Sequence, residues 1–195
     1  MPPASPPPPS FVELYADCAA AVRAWAGLKA RGALGTWFDA DDLAQEIAYH
    51  AWRAHGTFDP ARGSFRGWLF GVANKVALGL LRSAARERAN AGPFALLESR
   101  AGEVPDELTT ISRRAARDEA VERFLAALDQ LTPKDRDLFL YRGLEGLSLR
   151  QAAEVLGLSH EATKKRWQRL REELRAVPAA RALMASDADE APPEG

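Results

Sequence analysis

Cysteine is nearly absent. Cys18 is the single one in 195 residues, which excludes a disulfide framework and a cysteine-built zinc site. Histidine is scarce too, with three in all. His50 and His55 follow Glu46 at a spacing that is not the His-Glu-x-x-His of a metal-binding helix, and His160 has no carboxylate that the pattern places beside it. There is no Gly-rich phosphate loop. The expectation is no catalytic set, no metal and no cofactor. No stretch reaches the ~18 uninterrupted apolar residues of a membrane span, and the N-terminus lacks the basic start and apolar run of a signal peptide. A cytoplasmic chain without direct membrane insertion is expected. Positive charge shows no excess: 26 Lys and Arg against 27 Asp and Glu give a net charge of −1. Any affinity for nucleic acid must therefore come from local patches.

What is present is enough apolar content, 47%, for one or two small cores. The Pro-rich run Met1–Ser10 reads as an extended, disordered leader. Phe11 to about Ala30 reads as a helix whose apolar face holds Phe11, Leu14, Tyr15, Cys18, Val22 and Trp25. Gly27 to Phe38 is Gly-punctuated and is expected to break it. Asp39 to Asp42 opens the next helix, to about Ala54, with acids placed to complement the helix dipole. Leu43, Ile47 and Ala51 face inward, while Asp42, Gln45, Glu46, Tyr49 and Arg53 share another face. That face reads either as solvated or as a docking surface for a basic partner.

His55–Gly63 is a loop, and Ser64 caps a long helix from Phe65 to about Arg88. Phe65, Leu69, Val72, Val76 and Leu80 form its expected core stripe. Trp68 and Phe70 add aromatic bulk, and Lys75, Arg82, Arg86 and Arg88 make its later part basic. Aromatics beside cations suit single-stranded DNA, with bases on rings and phosphates on charges; a buried Trp68 fits the pattern equally well. Ala89 to Ile111 reads as a flexible linker by its Gly, Pro and acidic content. Ser112 to Gln130 is helical again, Asp137–Tyr141 supplies a further packing helix, and the Ala/Asp/Glu/Pro-rich stretch after Val177 reads as a disordered acidic tail.

The most informative stretch is Leu131 to Arg175. Ser148 with Gln151 three places on has capping-box spacing. The helix it opens runs Leu149–Leu156 and stops at Gly157, suited to a left-handed C-terminal residue. Ser159 caps a second helix to about Ala176. Its apolar stripe is Thr163, Trp167, Leu170 and Leu174. His160, Lys164, Lys165, Gln168 and Arg171 lie off that stripe, with Arg166 and Arg169 flanking. A charge-rich helix alone is more often a solvated face. The short capped helix before it, with small Ala152 and Ala153, and the tight joint favour a helix-turn-helix that reads a DNA major groove.

Here the chain resembles a known family. EGLSLRQAAEVLGLS, the preceding Leu131-Thr132-Pro133 and the basic run through Lys164, Arg166, Arg169 and Arg171 resemble region 4 of bacterial sigma factors. Trp167 stands for the usual Leu, and Ala162-Thr163 for Thr-Val. Asp41 to Arg82, with Asp42-Leu43, Gln45-Glu46, Phe58-Asp59, Gly63-Ser64-Phe65, Trp68-Leu69 and Leu81-Arg82, resembles sigma region 2, in the order the family has it. With no large region between them, the arrangement resembles the compact extracytoplasmic-function (ECF) type. Lys75 and Gly79 depart from the family's Asn and Asp.

The resemblance implies an all-α fold of two small helical domains, 11–88 and 112–177, joined by a flexible linker at 89–111, with leader 1–10 and tail 178–195 outside them. It implies that Asp42, Gln45, Glu46 and Tyr49 bind the RNA polymerase core. Phe65, Trp68, Lys75 and Arg82 would meet the minus-ten DNA. Ser159, His160, Lys164, Lys165, Arg166, Gln168, Arg169 and Arg171 would meet the minus-thirty-five DNA. Core polymerase, promoter DNA and an anti-sigma factor are the implied partners, and the chemistry would be polymerase's. Two other readings stand beside it: a helix-turn-helix regulator that binds operators without polymerase, and an adaptor that docks proteins through its Pro-rich start and acidic helix face.

Overall fold

The computed structural model describes residues 9–31, 33–36, 38–90, 105–177, 180 and 183–184. The described residues form helices joined by turns and loops, and there is no strand among them.

Helix α1 (Phe11–Ala30) starts at Ser10, whose hydroxyl accepts from the Glu13 N–H while the Glu13 carboxylate accepts from the Ser10 N–H. Ser10 thus belongs to the fold and not to the Pro-rich leader; residues 1–8 of that leader, and Trp37, lie outside the described residues. Gly27 does not break α1. It lies inside the helix and is buried, because a Cβ there would stand 2.8 Å from Leu125 Cδ1. The missing side chain lets another helix approach closely.

Helix α2 (Ala40–Ala54) is capped by Asp39, which accepts from the Asp41 and Asp42 N–H groups. Helix α3 (Phe65–Asn90) follows the His55–Thr57 3-10 turn and a loop. Its buried stripe is Phe65, Leu69, Phe70, Ala73, Ala77 and Leu80, with the expected Val72 and Val76 half-buried at its edge.

Helix α4 (Asp106–Ala116) begins inside the stretch expected to be linker. Pro105-Asp106-Glu107 reads as loop by composition. The same residues are a helix start, with proline fixing φ ahead of the first turn and acids facing the positive end of the dipole. Leu108, Ser112 and Ala115 bury one face of α4 against α1 and α2. The rest of the expected linker, 91–104, lies outside the described residues.

Helix α5 (Glu119–Asp129), capped by Asp118, packs on α1. Helix α6 (Pro133–Leu138) is capped by Thr132 with Pro133 at its first position and runs into a π-helical stretch, Phe139–Leu144. Helices α7 (Leu149–Leu156) and α8 (His160–Leu174) complete the second domain. Beyond them, Ala180 and Leu183 are buried, so the tail is not wholly outside the fold as its composition implied; 185–195 are outside the described residues.

Candidate nucleic-acid and protein interfaces

The helix-turn-helix is built by local signals. Ser148 and Gln151 form a reciprocal capping box. Gly157 closes α7 at φ 64°, a left-handed conformation that glycine adopts without a Cβ clash. The Ser159 hydroxyl accepts from the Ala162 N–H and opens α8. Thr163, Trp167, Leu170 and Leu174 are buried, and Trp167 packs on Phe139 with ring centroids 6.4 Å apart. This anchoring turns His160, Lys164, Lys165, Gln168, Arg169 and Arg171 outward.

Two residues assigned to that face have internal roles. Ser159 spends its hydroxyl as the N-cap. Arg166 donates to Asp135 Oδ1 at 2.9 Å, and Arg169 stands 3.5 Å from the same oxygen. The Thr132 hydroxyl donates to the other Asp135 oxygen at 2.6 Å. Burial alone would push Asp135 up. The Thr132 hydrogen bond, the charge and hydrogen bond of Arg166 and the charge of Arg169 outweigh it and hold the carboxyl below the usual range.

On α2, Asp42 is exposed, while Gln45 and Glu46 are half-buried. Partial burial, then the charges of Asp39 and Asp41, raise the Asp42 carboxyl despite a hydrogen bond to it from the Asp39 backbone. Glu46 lies 3.6 Å from His50 Nε2. Tyr49, expected on the same open face, is 3% exposed, and its hydroxyl accepts from Arg53 at 2.8 Å. Its position on the polar side of the helix does not expose it, because the Arg53 guanidinium and the His50 ring pack against its own ring.

The loop before α3 and the first turns of α3 carry an aromatic cluster. Phe65 sits among Phe11, Phe58 and Trp68, with ring centroids 5.8, 5.4 and 5.4 Å away. It is buried, so it cannot offer a face to a base; it is a wall behind Trp68. Trp68 is half-buried and its indole N–H donates to the Thr57 hydroxyl at 3.3 Å. Lys75 and Arg82 are exposed. Trp68 and Lys75 line two adjoining concavities. One lies between α2 and α3 and adds His50, Thr57 and Arg86; the other lies along the loop and adds Phe58, Asp59 and Arg62. Thr57 and Arg62 were missed in the sequence because a loop residue carries no periodicity; only the fold brings them beside Trp68. Gly71 and Gly79 border the first concavity, with open space where a Cβ would stand.

Among the described residues no group of His, Cys, Asp or Glu is placed to hold a metal, and no helix is long and apolar enough to cross a membrane.

Residues 14–87 match the model of Sigma-70 region 2, and residues 121–174 that of Sigma-70, region 4. The RNA polymerase sigma factor CnrH of Cupriavidus metallidurans is 34% identical over 145 residues, covering 71% of this chain and 73% of that one. The ferric citrate uptake sigma factor FecI of Escherichia coli is 30% identical, covering 80% and 83%. The ECF sigma factor SigG of Mycobacterium tuberculosis is 31% identical over 80% of this chain but only 47% of its own length. A solved structure of CnrH in complex with the cytosolic domain of CnrY matches at 25% identity, 87% of this chain, 98% of that chain and a TM-score of 0.34. Two regions matched in the order in which the helices run, and relatives covered over most of their length, establish the relationship: the chain belongs to the sigma-70 family of RNA polymerase sigma factors, in its extracytoplasmic-function branch.

Proposed function

We propose that this chain directs RNA polymerase core to promoters by dividing the task among three surfaces. The α2 face with Asp42, Gln45 and Glu46 docks on core. Trp68, Lys75 and Arg82 take the opened minus-ten strand, the ring offering a stacking plane and the cations meeting phosphates. The outward side of α8, from His160 through Lys164, Lys165 and Gln168 to Arg171, enters the minus-thirty-five major groove. Polymerase performs the chemistry. An anti-sigma factor is proposed as a further partner on family membership.

The observation that carries this reading is the pairing, in one chain, of a half-buried tryptophan beside exposed Lys75 with a helix-turn-helix whose cations face outward. A stand-alone operator binder needs only the second. The discriminating experiment is fluorescence anisotropy on a cognate promoter duplex at physiological salt, with and without core. Specific binding that requires core is expected, since a net charge of −1 gives the free chain little phosphate attraction. Nanomolar specific binding by the free chain would instead establish the stand-alone regulator.

A further inference from the structure

Among the described residues, Leu78 of α3 and Val155 of α7 are the large apolar side chains left exposed, Leu78 at 48%. A lone exposed leucine is ordinary on a protein surface. The surroundings of Leu78 are not. Lys75 stands three positions before it and Arg82 four positions after it, both exposed. Residues at these spacings are neighbours on one side of a helix. Gly71 and Gly79, four positions to either side of Lys75, are exposed on that side too, and a Cβ at either would meet nothing within 4 Å. Glycine weakens a helix interior, and packing within the chain requires it at neither position, unlike Gly27. Leu78 therefore projects from a cationic strip on which a large partner can come close to the helix backbone.

We propose that Leu78 is the wedge that parts the duplex at the edge of the minus-ten element. It enters a base step as the step unstacks and holds the gap while the freed strand passes toward Trp68. This rests on the reading that α3 takes the opened strand.

Position along α3 supports the wedge. Leu78 lies ten residues beyond Trp68, ~15 Å along the axis at ~1.5 Å per residue, or about four base steps of ~3.4 Å. At the Trp68 end the surface offers a half-buried ring and the concavity between α2 and α3, which suits unstacked bases. At the other end Arg82 and Arg86 are exposed, and the run Leu80 to Asn90 holds no aromatic. Cations without rings suit the phosphates of paired DNA. Leu78 stands where one surface gives way to the other. Its aliphatic chain forms no hydrogen bond with water or bases, and between two bases it is withdrawn from water on both sides. Leucine is among the side chains that proteins insert between base steps, offsetting the loss of stacking. Lys75 and Arg82, on phosphates to either side, would hold it at the step.

The experiment uses the holoenzyme, core with the full-length chain, on two templates. One is a fully paired promoter. The other has the same sequence with the minus-ten segment mismatched, so that it is already open. Opening of the paired template is read as permanganate reactivity of its thymines, and productive engagement of either as transcript yield. Leu78→Ser should lower opening of the paired template by about tenfold or more, because unstacking is no longer offset by insertion. On the mismatched template it should transcribe as the wild type does. Leu78→Phe keeps an apolar wedge and should open the paired template nearly as the wild type does. Leu78 is exposed, so matching circular dichroism is expected for both variants. Equal opening of the paired template by wild type and Leu78→Ser would overturn the wedge. So would an equal deficit of Leu78→Ser on both templates, which would make Leu78 a plain contact to the strand. A wild type that transcribes from neither template would overturn the proposed function and the wedge together; in every other outcome the wild type transcribes, which tells the two failures apart.

Discussion

Arg166, on the helix assigned to the DNA groove, donates to Asp135 at the start of α6 at 2.9 Å. Its guanidinium clamps α8 to the capped turn at Thr132, so its first task is to set the angle at which α8 is presented. Asp135 is nearly buried and shared with Arg169. Arg166→Ala should destabilise the second domain by about 1–3 kcal/mol, the cost of leaving a buried carboxylate without its partner. Lys164→Ala should stay within about 0.5 kcal/mol of wild type in stability, as a surface change does, while weakening promoter binding by the holoenzyme. Chemical denaturation beside anisotropy separates the two. Equal stability for both variants would return Arg166 to the groove face.

The same pair sets an acid limit. Asp135 has its carboxyl held below the usual range in the folded chain. Its contribution is thus present above the unfolded carboxylate value and is lost as pH falls through the lower, folded one. Asp135→Asn should lower stability at neutral pH and flatten this part of the acid transition. Denaturant midpoints across pH ~3 to ~7, spanning the ordinary carboxylate range, read it out.

In the aromatic cluster, burial divides the tasks of Phe65 and Trp68. Phe65→Ala removes a buried ring from the α1–α3 contact and should cost about 3–5 kcal/mol. Trp68→Ala should cost less stability and more function: strand capture, read as permanganate reactivity of promoter thymines, should fall while duplex binding through α8 persists. Unchanged reactivity in Trp68→Ala would remove it from the strand-binding surface.

For the α2 face, Asp42 is the cleaner probe. The Glu46 side chain is only 12% exposed and engaged with His50, so a lysine there would disturb the helix as well as the contact. Asp42→Lys should lower affinity for core with the melting temperature nearly unchanged, since the reversed charge acts across the contact. Competition for core against the wild type measures this, and equal competition would take Asp42 out of the docking surface.

How much of this was legible in the sequence follows the range of each interaction. The Ser148–Gln151 box, the Gly157 stop and the Ser159 cap depend on residues within three or four positions, and the pattern gave their places. The start of α4 is not legible in the pattern, because Pro105, Asp106 and Glu107 serve a linker and a helix N-terminus equally; what decides is burial of Leu108 against α1 and α2. The burial of Phe65 follows from its place on the core stripe, and only the family resemblance put it at the DNA; Tyr49 sits on the polar side of α2, yet Arg53 and His50 of the same helix pack on its ring and it is buried. Arg166 with Asp135 and Glu145 with Trp25 are separated by 31 and 120 positions, beyond any periodicity. Nothing in the sequence around Asn74 points to Glu145, the carboxylate its amide meets 71 positions away.

Glu145 is buried, and its two carboxylate oxygens accept from the Trp25 indole N–H at 2.7 Å and the Asn74 amide at 3.1 Å. Burial raises its carboxyl above the ordinary value, opposed by the Trp25 hydrogen bond, the Lys29 charge and the Asn74 hydrogen bond. Because the carboxyl binds its proton more readily in the folded chain than in the unfolded one, its contribution to stability is fully present below the unfolded value and is lost as pH rises through the folded one. Glu145→Gln cannot ionise and should lose this dependence. Denaturant midpoints of the wild type and Glu145→Gln, taken across the carboxylate range and up to neutral pH, measure it. A wild-type profile that matches that of Glu145→Gln would show that the carboxylate is not the titrating group.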